Sequence, residues 1–142
     1  DGANLHPLLV ETIAFAGGAR SLQPTIIAKG HIYGTDWFGP LEPCMPDSNH
    51  PQGGFQKDVI DSMKQFKTVE FAGVAEDFCD YTMKLQTIEK LEGTEYIEKL
   101  RFITDGTAPI LPNQQKVIDL NARARKAGVQ FIQHNTLFAA SL

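Results

Sequence analysis

Two residues in this chain have the type and the placement for nucleophilic chemistry, Cys79 and Lys29. Cys79 closes the stretch Val69-Glu70-Phe71-Ala72-Gly73-Val74-Ala75-Glu76-Asp77-Phe78-Cys79. Val69 and Phe71 alternate with polar neighbours, and the small residues Ala72 to Ala75 break that alternation, which predicts a strand ending in a turn. Glu76 and Asp77 put negative charge at a helix start, and Phe78, Tyr81, Leu85, Ile88 and Leu91 follow at helical spacing. A thiol in the first turn of a helix lies beside free backbone N–H groups, which favour a thiolate and can hold a developing oxyanion. Lys29 ends the apolar run Thr25-Ile26-Ile27-Ala28 and would bring a cation to the same rim, because parallel strands all end on one side. The residues alone leave the structural readings open. A lone cysteine usually packs as a small hydrophobe, a strand-end lysine is usually solvated, and Glu76, Asp77 and Asp80 oppose a thiolate.

Gly73-Val74-Ala75-Glu76-Asp77-Phe78-Cys79 resembles the nucleophile segment of the isochorismatase-like cysteine hydrolases, the group that contains the nicotinamidases. Ile26-Ile27-Ala28-Lys29-Gly30 is similar to the family strand that ends in its catalytic lysine. Phe102-Ile103-Thr104-Asp105-Gly106-Thr107-Ala108-Pro109 is similar to the next strand and the Asp-containing loop after it. Asp1-Gly2-Ala3-Asn4-Leu5-His6-Pro7 resembles the piece that follows the family's His-Cys segment. These pieces occur in the family's order and cover nearly the whole chain.

The resemblance implies a three-layer α/β/α sandwich with a parallel sheet, Rossmann-like and incomplete here, in one domain over residues 1–142. It implies hydrolysis of a C–N amide bond of a small substrate through a thioester on Cys79, with Lys29 as the supporting cation. It also implies a non-proline cis peptide at Val74–Ala75, which turns the Ala75 N–H beside that of Cys79 to form the oxyanion hole. Trp37 and Phe38 would flank a small planar substrate.

The same chemistry needs a proton carrier. In the family this is an Asp at the end of the first strand, and metal-binding members add an Asp and two His. All of these precede the segment that Asp1 to Asn4 resembles, so the resemblance implies a base missing from this chain. A missing amino-terminal half or another chain is then the expected partner, a homo-oligomer is expected, and no cofactor is held by this chain. A zinc ion would enter only with ligands from that missing half. Two departures stand out: Tyr33-Gly34-Thr35-Asp36-Trp37-Phe38-Gly39-Pro40 replaces an aromatic-Ser-Phe segment, and Asp80 stands where Val is common. The alternative from another class is a non-catalytic α/β module that binds a ligand or partner at the same rim. A vinyl ether hydrolase of the isochorismatase type is disfavoured, because such members lack the nucleophilic cysteine.

The elements that must position these residues read as follows. Pro7 begins a short helix with Leu9, Ile13 and Ala16 on one face, and Gly17-Gly18 stops it. Thr25 to Ala28 reads as a buried strand, and Gly30 to Gly54 as a long functional loop or a surface excursion pinned by its aromatics. Lys57 to Phe66 is a helix, Lys67 to Val74 a strand, Asp77 to Leu91 a helix, and Glu92 to Glu98 a connection. Leu100 to Thr104 is a third strand, Asn113 caps a helix through Lys126, Gly128 ends it, and Val129 to Gln133 is a fourth strand. Alternating helices and short apolar strands predict a parallel α/β sheet.

With 142 residues and 42% hydrophobic content, the chain can bury one core. A net charge of -4, scattered rather than in runs, argues against nucleic acid and anionic membrane as partners. Cys44 and Cys79 form no disulfide framework, His6, His31, His50 and His134 show no HxxxH spacing, and a cytoplasmic home is the default.

Overall fold

The computed structural model describes residues 7–21, 23–30, 35–51 and 53–134. Asp1 to His6, His31 and Tyr33-Gly34 therefore lie outside the described residues. Helix α1 spans Pro7–Arg20, α2 Lys57–Lys64, strand β1 Val69–Val74, and helix α3 Cys79–Leu91. A 3-10 turn at Ile97–Lys99 leads into β2 (Leu100–Ala108), followed by α4 (Gln115–Ala127) and β3 (Gln130–Ile132). The three strands form one parallel sheet in the order β1-β2-β3, so α3 and α4 are the crossovers that parallel pairing requires.

Register is fixed by three phenylalanines. Phe71 pairs with Phe102 and Phe102 with Phe131, which lines their rings across the sheet. Neighbouring rings meet edge to face, with centroids 5.5 and 5.3 Å apart, the arrangement that the ring quadrupole favours. Against this row pack Ile88 and Leu91 of α3, Leu120 and Ala124 of α4, Ile60 of α2 and Leu41 from the preceding loop. The opposite face of β1 carries Glu70, Ala72 and Val74, all exposed. Helices thus cover one face of the sheet among the described residues, and the α/β parallel architecture is the one expected.

Beyond Phe71 the pairing of β1 with β2 slips. Gly73 pairs with Thr107, so on the β1 side the four residues Ile103 to Gly106 stand opposite the single residue Ala72, while Ile103 keeps its pairing with Ile132 of β3. Gly106 fits there because a Cβ would lie 2.9 Å from Ile103 Cγ2 and 3.1 Å from Ala72 Cβ. The bulge carries β2 to Ala108, four residues past the end read from sequence.

Four expectations need correction. Residues 25–28 form no strand: segment 23–30 is irregular and exposed, and an apolar run alone supplies no ladder. Helix α1 continues through Gly17-Gly18 to Arg20, where Ala14, Ala16 and Ala19 support helix against the glycine cost, and Ser21 at φ 52° ends it. Asn113 does not cap α4. It takes a left-handed conformation (φ 57°) one residue before the capping position, Gln114. Gly128 does end that helix, at φ 105°, with the Gly128 and Val129 N–H groups returning to Arg125 and Ala124.

The fourth correction concerns α3. Its buried residues are Asp80, Lys84, Gln86, Thr87, Ile88 and Leu91, so of the expected apolar series Ile88 and Leu91 are buried while Phe78 is exposed. Tyr81 and Leu85 are half-buried, and line a surface hollow with Leu120 of α4. Two opposite charges four residues apart can enter a core as a pair, and a rule that seeks apolar residues passes over them.

Candidate active site

The junction of β1 and α3 is held from three sides. The Glu76 N–H donates to the Ala108 carbonyl at 2.9 Å, tying the turn to the end of β2. The Asp77 carboxylate accepts the N–H groups of Ile110 and Leu111, both at 2.9 Å, and Asp77 is fully buried. Burial pushes this carboxyl up. The two N–H groups, its own N–H and the charge of Lys116 outweigh that and hold it below its ordinary value. Asp80, the residue after the thiol, accepts from Lys84 Nζ at 2.5 Å and from Thr107 Oγ1 at 3.1 Å. Lys84 Nζ also lies 4.8 Å from the centre of the Phe102 ring.

Within this turn the Val74–Ala75 peptide is cis. The Ala75 carbonyl accepts from the N–H groups of Phe78 and Asp80, each at 3.1 Å. Among the described residues the turn bonds of this junction engage the N–H groups of Glu76, Phe78 and Asp80, and none of them engages the N–H of Cys79. Cys79 itself is a free, half-buried thiol at the first position of α3. A cysteine at a helix start, with its own N–H left open by the turn, can attack a carbonyl and offer that N–H to the resulting oxyanion.

The remaining candidates approach from the loop. Lys29 is exposed, follows no strand, and donates from Nζ to the Phe38 carbonyl at 2.7 Å rather than to the thiol. The Phe38 ring stands 6.5 Å from that of Phe78, the residue just before Cys79. Lys116 Nζ also caps Phe78, 4.8 Å from its ring centre, and lies 5.1 Å from Tyr81. Trp37 is half-buried and donates from its indole to Thr35 Oγ1 at 2.9 Å. The structure therefore gathers Lys29, Phe38 and Phe78 into one chain of contacts ending at the thiol's neighbour.

Sequence reading passed over Lys84, Thr107 and the clamp formed by Asp77. The i, i+4 spacing of Asp80 and Lys84 was the available signal for the first, while the others depend on contacts between distant segments. Among the described residues no group of three His, Cys, Asp or Glu side chains could hold a metal ion. His134 instead stands 3.4 Å from Glu70. An apolar groove of about 950 Å³ between α1 and residues 23–26 has no charged or thiol side chain in its lining.

No family model and no curated protein matches this sequence. Among solved structures, the chain is similar to the yeast nicotinamidase Pnc1p, with 14% identity and a TM-score of 0.55, covering 87% of this chain and 51% of that one. The same enzyme bound to the inhibitor nicotinaldehyde aligns with a TM-score of 0.56 and 14% identity, covering 88% and 52%. The likeness is one of fold, and the chain spans about half the length of those structures.

Proposed function

We propose that this chain carries the nucleophile portion of an isochorismatase-like, nicotinamidase-related hydrolase that cleaves a C–N amide bond of a small substrate. The observation that carries the reading is the turn from Ala75 to Cys79, which sets a free, half-buried thiol at the first position of α3, with a Cys79 N–H that no bond of the turn engages. In this reading Cys79 Sγ bonds to the amide carbon, and the negative charge on its oxygen rests on the Ala75 and Cys79 N–H groups. Collapse breaks the C–N bond, releases the amine after protonation, and leaves a thioester. Water then attacks the thioester, releasing the acid and restoring the thiol. Lys29 lends positive charge at the rim, Phe38 and Trp37 bound the substrate, and the proton carrier comes from outside residues 1–142.

Nicotinaldehyde tests this reading without needing turnover. A thiol adds across an aldehyde to give a thiohemiacetal: sulfur bonds to carbon and the proton passes to oxygen. The aldehyde is expected to protect Cys79 from iodoacetamide and to leave Cys44 unprotected, read by peptide mass spectrometry. Equal protection of both cysteines, or of neither, would contradict the reading and favour a non-catalytic binding module.

A further inference from the structure

Positions 79, 82, 86 and 90 of α3 recur at helical spacing and form one stripe that begins at the thiol. The loop from Asp36 to Cys44 is fastened along this stripe. At its head, Phe38 meets Phe78. Midway, Gln86 Nε2 donates to the Glu42 carbonyl at 2.8 Å. Gly39 presses so closely on the same side chain that a Cβ there would lie 2.3 Å from Gln86 Oε1 and 3.0 Å from Thr82 Cγ2. At the far end, Lys90 Nζ lies 3.7 Å from Glu42 Oε2 and 4.4 Å from the Phe55 ring centre.

Gln86 is 6% exposed, and its Oε1 has no hydrogen-bond partner among the described residues. A buried amide oxygen without a donor carries a cost that leucine or methionine of similar size would avoid, so filling space does not account for a glutamine here. What the amide supplies is a grip on the loop: its nitrogen holds Glu42, and its oxygen sits where only glycine leaves room. We infer that Gln86 is a positioning residue, which fastens the 36–44 loop to α3 and so sets Phe38 against Phe78 as one wall of the Cys79 site. The inference rests on the reading of Cys79 as the functional centre, and it makes access to that centre depend on a residue two helical turns away.

Gln86→Leu removes the grip while keeping bulk, and Gly39→Ala crowds the same contact from the loop side. Cys79 alkylation by iodoacetamide and by bulky N-phenylmaleimide is measured in each variant and in the unaltered chain. Far-UV circular dichroism checks the fold, and acrylamide quenching of Trp37, the single tryptophan, follows the loop. Either folded variant is expected to raise the bulky-to-small rate ratio at Cys79 by about fivefold, the shift that loss of one hydrogen bond allows. The ratio at Cys44 should stay constant and Trp37 quenching should increase. An unchanged ratio at Cys79, or unchanged Trp37 quenching, in either folded variant overturns the inference. Both reagents react with a thiol whether or not it hydrolyses amides, so failure of the hydrolase reading shows in the aldehyde experiment and failure of the latch shows here.

Discussion

Lys84 Nζ lies 2.5 Å from Asp80 Oδ2, with the two side chains 5% and 4% exposed, directly beneath the cysteine-bearing turn. This pair explains how an aspartate can follow the thiol: its charge points into the core, where Lys84 and Thr107 answer it. Removing one member of a buried pair leaves the other charge uncompensated. Lys84→Met should therefore cost about 3–5 kcal/mol in urea unfolding. The double variant Asp80→Leu with Lys84→Met should recover most of that loss. A single-variant cost below about 1 kcal/mol would mean that water reaches the pair.

Asp77 gives the junction a pH dependence with a definite sign. Its carboxyl is held below the ordinary value of 3.8, so on acidification the unfolded chain takes up the proton first. The stability it contributes is complete above that ordinary value and is lost as pH falls through the lower folded one. Asp77→Asn should therefore melt well below the unaltered chain at pH 6, and the gap should narrow on acidification below pH 4. A gap independent of pH would show that Asp77 acts through shape rather than charge.

Lys29 reaches the site through a backbone carbonyl. Lys29→Met keeps the aliphatic stem and removes both the charge and the bond to Phe38. Because the side chain is exposed, global stability should change by no more than about 0.5 kcal/mol. Trp37 quenching should increase and nicotinaldehyde protection of Cys79 should weaken. If neither readout moves, Lys29 has no part in the site.

The sheet face opposite α3 and α4 bears on association. Val74 there is 74% exposed, and Ile26 in segment 23–30 is 82% exposed. Apolar surface left open in this way drives self-association or the docking of another chain. Residues 1–142 in isolation should bind a dye for exposed apolar surface and sediment as an oligomer. A dye-silent monomer at micromolar concentration would contradict this expectation.

Much of the framework was legible because local rules act without competition there. Val69 to Phe71 alternates as a half-buried strand must, Gly128 supplies the left-handed stop, and the charged turn at Glu76-Asp77 opens a helix at Cys79. The cis bond at Val74–Ala75 was legible only through family resemblance, since nothing in the local pattern requires it. What escaped sequence reading depends on distant contacts. Ile26-Ile27 looks like a strand until one asks what pairs with it, and Leu41 lies in a Gly- and Pro-rich loop yet is fully buried in the core. Gln86 gave no sign in sequence, because its function lies in a glycine and a carbonyl more than forty positions away.

Competition between the two cysteines for one reagent tests the central claim most directly. Cys44 is exposed and Cys79 half-buried, so accessibility alone favours Cys44. If the β1–α3 turn activates its thiol, limiting iodoacetamide at pH 7 should alkylate Cys79 about tenfold faster than Cys44, read peptide by peptide in the folded chain. Equal rates, or faster labelling of Cys44, would contradict Cys79 as the nucleophile.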